Sequence, residues 1–148
     1  MPSTTTSTGR PALPTRLYAS AFPSLQAALD ALPESGGIVI IPPGNYELAE
    51  PLVVKTAETR IEGSGASTHL INRDETGKHA LIVRPPNLDK DKKAALWRVQ
   101  IGNLRISGNP KSGDGIYATR VQEIFLQGVS LDHHGGNGIA LVDCYEDP

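Results

Sequence analysis

The stretch Gly36-Gly37-Ile38-Val39-Ile40-Ile41-Pro42-Pro43-Gly44-Asn45-Tyr46 limits what this chain can become. A Gly-Gly pair releases four β-branched aliphatic residues, a run too short for a helix and suited to a strand buried on both faces or nearly so. Pro42 cannot donate to a sheet ladder, so the strand ends there, and Pro43-Gly44-Asn45 is turn chemistry. Tyr46-Glu47-Leu48 and then, beyond Pro51, Leu52-Val53-Val54 resume the strand pattern. Three short strands with corners between them are not a hairpin signal. They read as one coil of a solenoid.

The later chain repeats this logic. Val99-Gln100-Ile101, Gly102-Asn103, Leu104-Arg105-Ile106 aligns with Ile124-Phe125-Leu126, Gln127-Gly128, Val129-Ser130-Leu131 at an offset of about 25 residues, a solenoid period. Each unit is strand, two-residue corner, strand, variable loop, strand, and the corners carry Gly or Asn because a sharp bend takes a left-handed residue. The coils are Ile38–Ile41, Tyr46–Leu48 and Leu52–Val54; Thr59–Glu62, Thr68–Ile71 and Ala80–Arg84; Trp97–Ile101, Leu104–Ile106 and Ile116–Ala118; Ile124–Leu126, Val129–Leu131 and Ile139–Val142. Like positions then stack at one strand spacing of about 4.8 Å. The expected fold is all-β, a right-handed single-stranded parallel β-helix of about four three-strand coils. Fifteen glycines and twelve prolines fall at the ends of apolar runs, as punctuation for short strands.

One helix precedes the coils. Leu25, Ala28, Leu29 and Leu32 form a single apolar stripe, Pro23 suits a first helical turn, and Ser20 and Ser24 are alternative caps. A stacked array exposes an apolar cross-section at its end, so a helix within residues 22–33 is expected to cap coils spanning 36–143. Residues 1–16, rich in Ser, Thr and Pro, read as a disordered leader without a secretory signal; a trimmed signal would look the same. Residues 17–148 read as one domain. A net charge of −2 argues against bulk electrostatic binding to nucleic acid or membrane, and no apolar run approaches a membrane span. The single cysteine, Cys144, excludes an internal disulfide framework and leaves the compartment open.

Three pieces carry a resemblance: the helix Ser24-Leu25-Gln26-Ala27-Ala28-Leu29-Asp30-Ala31-Leu32, the stretch from Gly36 to Tyr46, and Thr59-Arg60-Ile61-Glu62-Gly63-Ser64-Gly65. From Phe22 to about Asp143 the chain resembles the opening of the pectate-lyase-like right-handed parallel β-helix proteins. That group includes pectate lyases, polygalacturonase-like hydrolases, sugar epimerases and phage tailspike depolymerases. The resemblance therefore implies a polysaccharide as partner and an extracellular setting, while the shared fold does not fix the reaction. The residues point to no metal and no cofactor; calcium enters through the resemblance alone. Members of the group continue for many more coils and carry their catalytic acids there. By that likeness the chain reads as an incomplete N-terminal portion, with an uncapped last coil open to homo-oligomeric, end-to-end association.

In the group, sugar chains lie along one strand face flanked by variable loops. Here that face would be the third-strand stack, with Val53, Ile82, Tyr117 and Ala140 outward and Lys55, Arg84, Thr119 and Val142 one step further. Lys55 and Arg84 can pair uronate carboxylates and Tyr117 can stack on a ring; the competing reading is a solvated sheet exterior. The loop Asp132-His133-His134-Gly135-Gly136-Asn137 supplies the catalytic candidates Asp132 and His133, joined by Asp114 from the loop beneath, with His134 as a substrate contact. Two carboxyls flanking a bond are what glycoside hydrolysis needs, yet Asp132 and Asp114 sit at opposite ends of the loop position. Adjacent histidines on an extended loop point in opposite directions, which is poor metal geometry. The paired Asp-Asp and the Gly-His-Gly of polygalacturonase-like hydrolases are absent. Arg84 as a base for elimination lacks an accompanying carboxylate cluster. Trp97 is expected to pack beneath the mixed-charge loop Asp89–Lys93. Two readings stay open: part of a lyase, hydrolase or epimerase acting on an acidic glycan, or a non-catalytic glycan-binding or structural module of a tailspike-like or surface protein.

Overall fold

The computed structural model describes residues 13–145. The proposed leader lies outside the described residues up to position 12, as do the last three residues of the domain. In chain order come β1 (Arg16–Tyr18), a single 3-10 turn (Ala19–Ala21), α1 (Leu25–Asp30), β2 (Gly37–Ile40), β3 (Gly44–Leu48), β4 (Leu52–Val54), β5 (Thr59–Glu62), β6 (Thr68–Asn72), β7 (Leu81–Val83), β8 (Leu96–Ser107), β9 (Ile116–Thr119), β10 (Val121–Asp132) and β11 (Ile139–Val142). All pairings between these strands are parallel, and they stack as a β-solenoid of about five turns. Val99–Ile101 and Leu104–Ile106 do not fold back on each other; they lie in one strand, β8, parallel to β10.

The count of about four coils is corrected by one. β1 pairs with β2, Leu17 opposite Val39, and so opens an additional turn ahead of the first coil. The three-strand description also changes in the later turns. β8 and β10 each run twelve residues through the expected corners, bending at Asn103 (φ 55°) and Gly128 (φ 66°) and resuming the ladder in the same register beyond them. Those two residues face each other across the pair, since Gly102 lies opposite Gln127 and Leu104 opposite Val129.

The core is built from columns that repeat once per turn. Val39, Ile61 and Ile101 form one; Leu52, Leu81 and Ile116 form another; all six are almost wholly buried. Each such side chain contributes roughly 1.5–3 kcal/mol by leaving water. The strand after Gly36-Gly37 is not buried on both faces: Val39 and Ile41 point into the core, while Ile38 and Ile40 alternate outward and stay half-exposed. Its turn is tied by Tyr46, whose hydroxyl donates to the Pro42 carbonyl at 2.7 Å, and by buried Thr68, whose Oγ1 donates to the Ile41 carbonyl and accepts the Ser64 N–H. Burial raises the Tyr46 phenol above its ordinary pKa.

Helix α1 starts where Ser24 accepts the Ala27 N–H at 3.1 Å, which decides between the two serines; Pro23 precedes this cap rather than entering the first turn. Ala28 and Leu29 enter the core. Gln26 does what a neighbouring strand would do for the edge of β4. Its Nε2 donates to the Val53 carbonyl at 3.0 Å and its Oε1 accepts the Val53 N–H at 2.9 Å, so both backbone groups are satisfied by one side-chain amide.

Candidate functional site

The third-strand stack β4-β7-β9-β11 has the register expected of it. Leu52, Leu81, Ile116 and Ile139 form one column, and Val53, Ile82, Tyr117 and Ala140 the next, half-exposed and facing outward. The two cations bordering this face are each joined to a carboxylate, Lys55 to Asp30 at 3.6 Å and Arg84 to Asp89 at 3.0 Å. Asp89 is almost fully exposed and half of the Lys55 side chain is in solvent. Pairs of this kind contribute only about 0–1 kcal/mol and yield readily to an incoming anion. Tyr117 is stacked on His79, ring centroids 4.6 Å apart and planes within 1° of parallel.

The loops entering the third strands stack as well. Gly108 N–H donates to the Asp132 carbonyl, Gly115 N–H to that of Asn137, and Gly136 N–H to that of Gly113. Asp114 is buried within this stack. Its Oδ1 accepts the Asn137 N–H at 2.7 Å, and a Cβ on Gly136 would approach that oxygen to 2.4 Å. The carboxylate is thus committed to holding the next loop in place. Asp132 is also committed. Its Oδ2 accepts two hydrogen bonds from Arg105, from Nε at 3.1 Å and from Nη2 at 2.6 Å, while Oδ1 is buried without a partner among the described residues. Desolvation alone would raise its pKa; the hydrogen bonds and charge of Arg105, helped by His133, hold the carboxyl below the ordinary range.

His133 and His134 diverge, one to solvent and the other inward, across a bend in the backbone and not along an extended loop. His133 takes a left-handed conformation (φ 60°) and leaves 76% of its side chain in solvent, with Nδ1 3.6 Å from Asp132. His134 turns inward between Gly108 and Gly115, where Cβ atoms would come within 2.8 Å and 2.7 Å of its ring. Its Nε2 lies 3.1 Å from the Ile106 carbonyl and therefore carries the proton, which leaves Nδ1 buried and without a partner among the described residues. Desolvation pushes the His134 pKa down, against the opposing pull of the Ile106 carbonyl and of Asp132 and Asp114. His134 is a packing wedge between two loops. The catalytic candidates therefore occupy one stack of loops, but Asp114 and Asp132 are turned to loop backbone and Arg105 while His133 lies largely in solvent.

Among solved structures, the chain is similar to ORF18 of Geobacillus virus E2, with a TM-score of 0.68 and 18% identity over 77% of this chain. The match spans a quarter of that phage protein's length. At this identity the likeness shows the fold, a parallel β-solenoid, and carries no activity with it. No family model matches the chain, and no curated protein does.

Two features went unread in the sequence. His79 is one; the other lies on the outer face of the middle strands β3-β6-β8-β10, where His69 Nε2 contacts Ser107 Oγ beside the Arg105–Asp132 pair. Burial, with Arg105 and Arg73 nearby, lowers the His69 pKa. Ser107 is buried as well. Trp97, expected beneath a loop, is exposed, with the Arg98 guanidinium 5.5 Å from its ring centroid. A hollow of about 570 Å³ lies elsewhere, along the first strands, lined among others by Arg60 and Arg98. Both arginines are paired there, with Glu62 and Glu58, and none of the candidate residues lines it; the third-strand face offers the more weakly held charge.

Proposed function

We propose that this chain is a glycan-binding β-helical module, right-handed and capped at its N-terminal end by α1, that receives an acidic polysaccharide along the third-strand face. One contrast supports the reading. Asp132 and Asp114, the acids that hydrolysis would need, are consumed by Arg105 and by loop backbone. Lys55, Arg84 and Tyr117, by comparison, border one outward face with only weak, exposed ion pairs to give up. A chain of uronates matches that face by charge. Binding without cleavage is the expected behaviour.

Titration of the protein with oligogalacturonates across a salt series tests this. Arg84→Ala should weaken binding several-fold and flatten its salt dependence, because a cation that pairs a ligand carboxylate is removed. Equal binding by parent and variant at every salt concentration would exclude this face. Release of reducing ends or of unsaturated uronates would restore the enzymatic reading.

A further inference from the structure

His79 lies outside every motif of the sequence, yet its two ring nitrogens are fixed in different roles. The backbone N–H of Asp114 donates to His79 Nδ1 at 2.8 Å. A donor N–H at that distance requires a lone pair on Nδ1, so the ring proton resides on Nε2. The Asp114 carboxylate also approaches Nδ1, with Oδ2 at 3.5 Å, but this longer contact is secondary to the N–H that already occupies the nitrogen. Nε2 has no protein partner among the described residues, and 28% of the His79 side chain is exposed. The ring cannot swing away freely, because it is stacked on Tyr117 on one side. The Tyr117 hydroxyl likewise has no partner among the described residues. The pair therefore presents an N–H donor and a hydroxyl side by side on the outer third-strand face, held in position before any ligand arrives.

We propose that His79 is a specificity-determining residue of this face, offering Nε2–H to a hydrogen-bond acceptor of the ligand, a carboxylate or carbonyl oxygen, with Tyr117 beside it. The inference rests on the acidic-glycan reading and adds a second, uncharged subsite to it. His79 precedes β7 and Arg84 follows it, five positions apart, which is on the order of 16 Å along an extended chain. A ligand that reaches both the donor pair and the cations must therefore exceed one sugar ring, and a monosaccharide engages one subsite only. Asp114 acts through His79: its main chain selects the tautomer while its side chain holds the next loop.

The two nitrogens can be tested apart. In His79→Asn the side-chain oxygen stands where Nδ1 was and still receives the Asp114 N–H, but the distal donor is gone. In His79→Gln the amide reaches the Nε2 position and restores a donor there, at the expense of the inner acceptor. Both variants lose the stack on Tyr117, so the difference between them reports the donor. With trigalacturonate as the probe, His79→Asn should bind about tenfold more weakly than the parent, the loss of one ligand hydrogen bond, at a thermal midpoint no lower than that of His79→Gln. His79→Gln should recover most of that affinity even where its midpoint falls. A nitrogen-15 histidine spectrum of the ligand-free parent should show the Nε2–H tautomer at His79. Binding by His79→Asn equal to the parent's, or an Nδ1–H tautomer, overturns the inference and leaves the glycan reading standing. A parent that binds no trigalacturonate overturns both.

Discussion

Leu29→Asp should unfold the chain, or lower its thermal midpoint by more than any surface substitution, when followed by circular dichroism. Leu29 is 6% exposed and packs, with Ala28 at 0%, into the same core as the solenoid columns. A carboxylate in that position has no partner and must either shed its charge or hold the seam open to water. A group buried that way costs several kcal/mol. Domains of this size are stable by only about 5–15 kcal/mol in total, so the change takes a large share of the margin. The consequence spreads beyond the helix. α1 brings Gln26 to Val53, and loss of the helix would leave the outer N–H and C=O of β4 without the amide that now satisfies them. An unchanged midpoint would mean that α1 is not docked against the first coil.

The parts legible in the sequence were those where a residue type repeats once per turn. Leu81 and Ile116 could be aligned because a buried column tolerates only apolar residues, Ile139 continues it at 40% exposure, and the register of the third-strand stack followed from them. β1 was not legible. Three residues flanked by Pro14 and the Ala19–Ala21 turn carry no periodicity, and only pairing with β2 makes them a strand. The corners were read correctly as left-handed at Asn103 and Gly128, but a bend beyond which the ladder resumes in the same register does not divide a strand. In the candidate site, the fate of Asp132 was within reach. Ser130 lies opposite Arg105 and Asp132 opposite Ser107, so Arg105 and Asp132 are diagonal neighbours on one face, where an ion pair is the expected outcome. His79 was out of reach, since its role depends on a main-chain N–H and a ring two loops apart in sequence, neither of which leaves a pattern.

Gly36→Ala is expected to be the most damaging of the small substitutions, and the reason is not the left-handed backbone alone. Gly36 (φ 86°) stands at the head of a column that continues through Glu58 (φ 57°), Arg98 (φ 50°) and Glu123 (φ 62°); the first two immediately precede β2 and β5, and the last two are the third residues of β8 and β10. Three residues with full side chains therefore accept the same left-handed bend, at roughly 1–2 kcal/mol apiece. They are joined by Arg98, whose guanidinium lies 2.6 Å from Glu58 and 3.5 Å from Glu123. Conformation by itself would thus make alanine at position 36 tolerable. Space decides otherwise. A Cβ on Gly36 would stand 2.3 Å from the Glu58 carbonyl oxygen and 2.6 Å from that of Ala57. Both are main-chain atoms, and the Glu58 carbonyl accepts the Gly37 N–H that opens β2, so neither can rotate aside as a long side chain would. Relief requires β2 and β5 to separate at their first pair, adding about 1–3 kcal/mol of overpacking to the conformational cost. Chemical denaturation should show a midpoint well below that of the parent. Glu58→Gly, which removes a side chain from the same column without creating overlap, should change stability far less. A loss in Gly36→Ala no larger than the roughly 1–2 kcal/mol of a left-handed bend would show that the column's conformation, and not the carbonyl contact, is what position 36 must satisfy.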